Sequence, residues 1–194
     1  MRFGRIGGML IVSGVALFVF GYALMIVGVA VGNLITGGAM ALIGSGAAIL
    51  CITGPVPLHG RVIRAGLGVL AVGLGSLLAS SIAASTLTYD PLESWPVVVL
   101  GFGGFLALAL GSLIGEASLL RAKGYARAVG LVLVAGPLFA LLAGIISANV
   151  ASDPLVSAVT GGLVILGAAG FFLGCAGIGM LVIKGDRSTP TGAT

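Results

Sequence analysis

The stretch IGGMLIVSGVALFVFGYALMIVGVAV, residues 6–31, decides the fold of this chain. It is apolar apart from Ser13 and Tyr22, and it exceeds the roughly 20 residues that an α-helix needs to cross a bilayer core. The apolar core of a signal peptide has only about 7–15 residues, so we expect this segment to be retained as a membrane helix. Glycines recur in it every seven residues and therefore lie along one side of the helix, at Gly7, Gly14, Gly21 and Gly28.

The composition of the whole chain excludes a soluble globular domain. Hydrophobic residues make up 59% of the 194 residues and charged residues only 7%, whereas roughly a quarter of the residues in a soluble domain are charged. The net charge of +4 comes from short basic clusters at the ends of apolar runs. Such clusters set membrane topology, so we predict the lipid bilayer as a partner and no nucleic acid.

Six apolar runs are long enough to span a bilayer. They predict an all-α integral membrane protein with one six-helix transmembrane domain over residues 1–187 and a flexible cytoplasmic tail over residues 188–194. Gly32 and Asn33 form the predicted first turn. The predicted helices cover about 6–31, 34–53, 65–86, 97–117, 128–148 and 155–183.

The charges along the chain predict its orientation. All nine Lys and Arg residues fall before the first helix, between helices two and three, between helices four and five, or after helix six. The opposite segments contain Asp90, Glu93 and Asp153 and no Lys or Arg. By the positive-inside rule, both termini are predicted to be cytoplasmic in a multi-pass protein of the cell membrane. Trp95 is then expected at the outer interface and Tyr125 at the inner one.

The pattern of glycines predicts three copies of one helical hairpin. In each odd-numbered helix an arginine is followed nine residues later by a glycine, and each even-numbered helix has a Gly-Gly pair near its outer end. Because each hairpin begins and ends inside, the copies are parallel repeats. The sequence leaves open whether they close around a threefold axis or form a row. The arginine–glycine pairs are Arg5/Gly14, Arg64/Gly73 and Arg127/Gly136, and the Gly-Gly pairs begin at Gly37, Gly103 and Gly161.

Glycine spacing also predicts how the helices cross. A seven-residue recurrence favours left-handed crossings, and four-residue pairs, which favour right-handed ones, are fewer here. We therefore expect mostly left-handed, glycine-mediated packing. The predicted packing glycines are Gly7, Gly14, Gly21, Gly28, Gly66, Gly73 and Gly136.

Few side chains in the apolar runs could carry chemistry. Glu116 is the only ionisable residue within a run, and an acid at this depth is a candidate for handling protons or a substrate. Its position at the inner end of helix four favours the other reading, in which it reaches water or forms an ion pair with an arginine such as Arg61 or Arg64. Pro137 removes a backbone hydrogen bond and could mark a hinge, or only shape the bundle.

A cluster of serines in helix three could line a polar crevice that opens to the outside. Its members are Ser76, Ser80 and Ser81. Serine hydroxyls can instead bond to the carbonyl one turn back, so the cluster need not line a pathway. Cys51 and Cys175 lie inside apolar runs, where cysteine behaves as a small hydrophobe.

The sequence contains no catalytic triad, no phosphate-binding loop in a strand–helix context and no metal-ligand spacing. We predict no catalytic residues, no cofactor and no metal, and therefore no enzyme. The function predicted first is an interaction, structural or accessory-subunit role, by self-association or with other membrane subunits, because polar groups are few and loops are short. The alternative is an oligomeric transporter or channel for a small solute or ion, which the repeat and Pro137 favour.

Overall fold

The computed structural model describes residues 2–29, 31–54, 60–86, 95–120, 124–149 and 154–185. Long α-helices account for nearly all of them. Five helices are long and apolar enough to cross a membrane, and α5 has a shorter apolar stretch over Tyr125–Gly136. The described chain therefore has the helical content of a multi-pass membrane protein. The helices are α1 (Arg2–Ile26), α2 (Val31–Thr53), α3 (Arg61–Thr86), α4 (Trp95–Leu119), α5 (Tyr125–Asn149) and α6 (Pro154–Gly185).

The first helix ends earlier than predicted, and the prediction of a turn at Gly32 and Asn33 is wrong. α1 stops at Ile26, and both predicted turn residues lie within α2. Gly28 has φ +78°, a left-handed conformation that glycine adopts at low cost. Its N–H donates to the Met25 carbonyl and the next N–H, of Val29, donates to the Leu24 carbonyl. This pair of bonds is a Schellman motif, which ends a helix.

The six helices form a closed ring in which consecutive helices run antiparallel. Each helix packs most extensively on its partner in the same hairpin, α1 on α2, α3 on α4 and α5 on α6. The hairpins meet through α2 and α3, through α4 and α5, and through α6 and α1. The contact of the last helix with the first closes the ring, so the hairpins do not form an open row.

The ring is packed more tightly at one end than at the other. We call the end where α1 begins and α6 ends the termini end, and the end with the α1–α2 turn the turn end. The buried core lies between the termini end and the middle of the helices, for example Leu50, Leu67, Leu133 and Ile178. Towards the turn end α6 is exposed on several faces over residues 161–166. The bundle is therefore filled at the termini end and loosely packed towards the turn end.

The described basic residues mark the termini end. They lie where odd-numbered helices begin or where α6 ends. Examples are Arg5, Arg64, Arg127 and Lys184. Lys184 Nζ also lies 5.8 Å from the centre of the Tyr125 ring, joining the end of α6 to the start of α5. Trp95, at the start of α4, is exposed at the turn end. The segments predicted to carry Asp90, Glu93 and Asp153, and the tail 188–194, lie outside the described residues.

Candidate functional site

A central cavity of about 210 Å³ lies inside the ring. Every helix contributes to its wall, and every lining residue is apolar or glycine. The positions of these residues along the helices put the cavity near the middle of the bundle. The lining residues are Phe18, Met40, Leu74, Leu77, Phe105, Leu108, Ala109, Gly136, Val164, Gly167, Ala168, Phe171 and Phe172.

Glu116 lies on the helix face that borders this cavity. At 100° per residue, Phe105, Ala109, Ser112 and Glu116 fall within an arc of about 60° on α4. The first two line the cavity, so this face points into the ring. Glu116 comes seven residues after Ala109, which corresponds to about 10 Å along the axis towards the termini end. It therefore faces the ring interior beneath the cavity.

The Glu116 carboxylate is well shielded, since the residue is only 7% exposed. No Lys or Arg among the described residues comes within ion-pair distance of it. Arg64, one of its expected partners, is turned elsewhere: Nε donates to the Cys51 carbonyl at 2.7 Å and an η-nitrogen donates to the Ile52 carbonyl at 3.1 Å. The ion pair suggested from the sequence is thus not formed with Arg64.

Ser112 lies one helical turn from Glu116 and is fully buried. Its hydroxyl has no hydrogen-bond partner, which is unusual because buried polar groups are nearly always paired. The Nε of Arg5, at the termini end of α1, is likewise buried and unpaired. Two buried polar groups of the described residues are therefore unpaired, and both lie in the half of the bundle towards the termini end.

The serines of α3 differ in their surroundings. Ser80 donates to the Val97 carbonyl at 2.8 Å, which joins α3 to α4. Ser81 donates to the Leu77 carbonyl of its own helix at 2.9 Å. Ser76 is half-buried, and none of the three lines the central cavity.

The helical backbone of α5 continues through Pro137 to Asn149. The preceding residue, Gly136, lines the central cavity. Pro137 therefore occurs at the depth of the cavity, and its role as a hinge stays a prediction.

The glycine that follows each arginine by nine residues meets the same kind of neighbour in all three hairpins. A Cβ atom added to Gly14, Gly73 or Gly136 would lie about 3 Å from a carbonyl oxygen of the hairpin partner. The facing carbonyls belong to Ala39, Gly104 and Gly167 at 2.9, 2.9 and 3.0 Å respectively.

The other predicted packing glycines divide into two groups. Gly7, Gly21 and Gly66 face the partner helix of their own hairpin at similarly short distances. Gly28 belongs to the turn and has no atom within 4 Å of a Cβ added there. The Gly-Gly pairs do not share one environment, because Gly104 meets α3 whereas Gly161 and Gly162 face open space.

A second hollow, of about 310 Å³, is a groove on the outside of the ring between α2 and α3. Met40 and Leu74 line both this groove and the central cavity, so they form the wall between the two. Most of the remaining groove is built from small residues, and Ser45 and Gly75 are exposed in it. The small residues are Ala41, Gly44, Ser45, Ala48, Ala71 and Gly75.

The described residues include no group of three or more His, Cys, Asp or Glu side chains that could hold a metal. Cys51 and Cys175 are free thiols, half-buried and buried respectively. His59 lies outside the described residues.

No known protein family, curated protein or solved structure matches this chain. Its site must therefore be interpreted from its own residues.

The sequence singled out Glu116 as a candidate and gave no indication of the central cavity or the external groove. The cavity and the groove are lined by the residue types that fill every apolar run, so no motif distinguishes their members. Ser112 carried a weak signal, as one of few polar residues in a run. Its complete burial became visible only when the neighbouring helices were placed around it.

Proposed function

We propose that this chain is a small polytopic protein of the cell membrane with an accessory or structural role, and that it is not an enzyme. The observation that supports this most is the external groove between α2 and α3. Small residues at a membrane-exposed surface let the backbone of another helix approach closely, and such contacts drive association where the hydrophobic effect is absent. The partner that fits the groove is a transmembrane helix of another subunit.

The architecture proposed for this role is a set of three parallel hairpin repeats. The similar surroundings of Gly14, Gly73 and Gly136 support the repeat, because each meets a carbonyl of its hairpin partner. The seven-residue glycine spacing supports mostly left-handed crossings within the hairpins. We propose a single transmembrane domain over residues 1–187 on this basis.

The proposed orientation has both termini in the cytoplasm. It is supported by the described Lys and Arg residues at the termini end, since cytoplasmic ends of membrane helices are rich in such residues. Reporter fusions at Gly28, Tyr89 and Ser152 should all give an extracytoplasmic signal. A cytoplasmic signal at any of the three would contradict the six-helix topology.

The accessory role is tested by purification in mild detergent. We expect an integral membrane partner to co-purify in a fixed ratio, and Gly75→Leu to abolish this because leucine fills the groove. Gly103→Leu is the matched control, since Gly103 is exposed on α4, outside the groove, with no atom within 4 Å of an added Cβ.

Two results would contradict the accessory role. One is a pure homo-oligomer, and the other is a partner that Gly75→Leu and Gly103→Leu release equally. A homo-oligomer would favour the second candidate function.

That second candidate is an oligomeric transporter or channel for a small solute or ion. The buried Ser112 and Glu116, on a face of α4 that points into the ring, favour it. Intramembrane acids commonly serve ion or proton pathways. Glu116→Gln removes the charge at nearly constant shape and should change flux in reconstituted vesicles. Unchanged flux would remove Glu116 from any transport mechanism.

A further inference from the structure

The central cavity is suited to an apolar occupant. None of its lining side chains is polar, so a polar solute would lose hydrogen bonds to water without gaining others. Apolar cavities of this kind stay dry, and one of about 150 Å³ is large enough to bind benzene. At about 210 Å³, this cavity has room for a longer apolar segment.

The cavity is open on one part of its wall and closed on another. Val164 and Phe105 line it and are 51% and 38% exposed, so its rim is continuous with the outer surface. Leu74 and Phe171 line it and are almost fully buried, so they form a floor that surrounding lipid does not touch.

The depth of the cavity matches that of lipid tails. Leu74 and Gly136 come 13 and 11 residues after the first residues of α3 and α5, Arg61 and Tyr125. At 1.5 Å per residue this corresponds to about 16–20 Å from the termini end, near the middle of a ~30 Å hydrocarbon core. Only acyl chains are abundant there.

We propose that the central cavity binds the end of an acyl chain of a membrane lipid, which enters past Val164 and Phe105 and rests on Leu74 and Phe171. The bound chain supplies the apolar contacts that the side chains lining the cavity do not make with one another. This inference goes beyond the accessory role and does not depend on it, because it concerns the inside of the ring and not the external groove.

Photolabelling tests the proposal. The full chain is reconstituted in dioleoylphosphatidylcholine vesicles that contain a phosphatidylcholine with a diazirine at the end of one acyl chain. After irradiation, peptide mass spectrometry should find label on Leu74 and Phe171. A probe with the diazirine beside the ester should label exposed residues but not this floor. Label confined to exposed residues with the chain-end probe would overturn the proposal.

A matched pair of variants separates binding in the cavity from general lipid contact. Ala168 lines the cavity and Ala169 does not, although both are exposed. A phenyl ring is about the size of benzene, and a cavity of about 150 Å³ is large enough to bind benzene. The ring added by Ala168→Phe should therefore fill most of the cavity of about 210 Å³. Labelling of the floor should fall at least about fivefold. Ala169→Phe should leave it unchanged. Equal labelling of the floor in the two variants would overturn the proposal.

A second pair of variants provides the test if Ala168→Phe does not fold. Val164→Trp adds bulk at the rim and leaves the floor residues Leu74 and Phe171 unchanged. Ile165→Trp adds bulk at a neighbouring exposed position that does not line the cavity. Floor labelling should fall only in Val164→Trp. If a free apolar diazirine labels the floor and the lipid probe does not, the occupant is a small hydrocarbon and the acyl-chain proposal is wrong.

Discussion

A Cβ atom added to Gly14 would lie 2.7 Å from Cγ1 of Ile43 and 2.9 Å from the carbonyl oxygen of Ala39. Real Cβ atoms essentially never come as close as either distance. A new rotamer of Ile43 would relieve only the first contact, so the two helices must also separate to relieve the backbone contact with Ala39. At Gly73 the two nearest atoms are both backbone, because its added Cβ would lie 2.7 Å from the nitrogen of Leu108 and 2.9 Å from the carbonyl oxygen of Gly104. Backbone cannot move aside as a side chain can, and the close approach of α3 and α4 therefore depends on Gly73.

Gly73→Leu should destabilise the protein, whereas Gly75→Leu in the same helix should not. Gly75 has no atom within 4 Å of an added Cβ. Overpacking at Gly73 is expected to lower the free energy of unfolding by about 1–3 kcal/mol or more, and an exposed change stays within about 0.5 kcal/mol. Thermal unfolding in detergent measures the difference.

Equal unfolding temperatures for these two variants would show that Gly73 is not a packing residue. Gly32 is unsuitable as the control, although the sequence suggested a turn there. It lies in α2, and its added Cβ would come 2.7 Å from the Gly21 carbonyl.

The C-terminal ends of α1 and α2 show how far the sequence predicts helix boundaries. α1 ends in a Schellman motif at Gly28, and α2 ends just before Gly54, which has φ +51°. Each glycine stops its helix by adopting a conformation that other residues avoid. In the sequence, several glycines near the first turn could equally have ended α1. Only the backbone hydrogen bonds donated by Gly28 and Val29 identify the residue at which the helix ends.

The end of α2 is also held by a side chain from another hairpin. Arg64, in the first turn of α3, donates to the carbonyls of Cys51 and Ile52, two of the groups that a helix C-terminus leaves unpaired. This contact joins the first hairpin to the second.

Arg64→Ala should therefore lower stability more than Arg61→Ala. Both residues are exposed and both changes remove one positive charge from the start of α3, but the structure assigns hydrogen bonds to α2 only to Arg64. We expect a cost of about 1 kcal/mol for Arg64→Ala and a smaller one for Arg61→Ala. Guanidinium-induced unfolding of the two variants in the same detergent measures this, and identical midpoints would contradict the bridging role.

The contact between the first and last helices closes the bundle into a ring. Phe18 of α1 and Phe172 of α6 stack with ring centroids 3.8 Å apart. Gly8 and Gly179 bring the same helices together near the termini end, since a Cβ added to either would lie within 3 Å of the other's carbonyl oxygen. The first of these contacts closes the wall of the central cavity between α1 and α6, because both phenylalanines line it.

Ring closure predicts a cross-link between positions that are far apart in the sequence. In a variant with Cys51 and Cys175 replaced by Ala, cysteines at Phe18 and Phe172 should be joined by a short bismaleimide within one chain. The control is a cysteine at Phe20, which is exposed, combined with the one at Phe172. Intramolecular cross-linking of only the first pair supports the ring, and its failure while the fold is retained would contradict it.

Length and hydrophobicity by themselves determined the helical membrane character of this chain, because a hydrocarbon solvent leaves an apolar segment of about 20 residues few structures other than a helix. The spacing of the glycines pointed to the packing positions of α1 and α3, and a lone acid within an apolar run pointed to Glu116. The ring, the cavity and the groove were decided only by tertiary structure. In a soluble protein the polar face of a helix shows which side is outside. Here Leu131 is exposed and Leu133, two residues later in α5, is buried in the core. The two side chains are identical, so the sequence carries no signal that separates the outer surface from the interior.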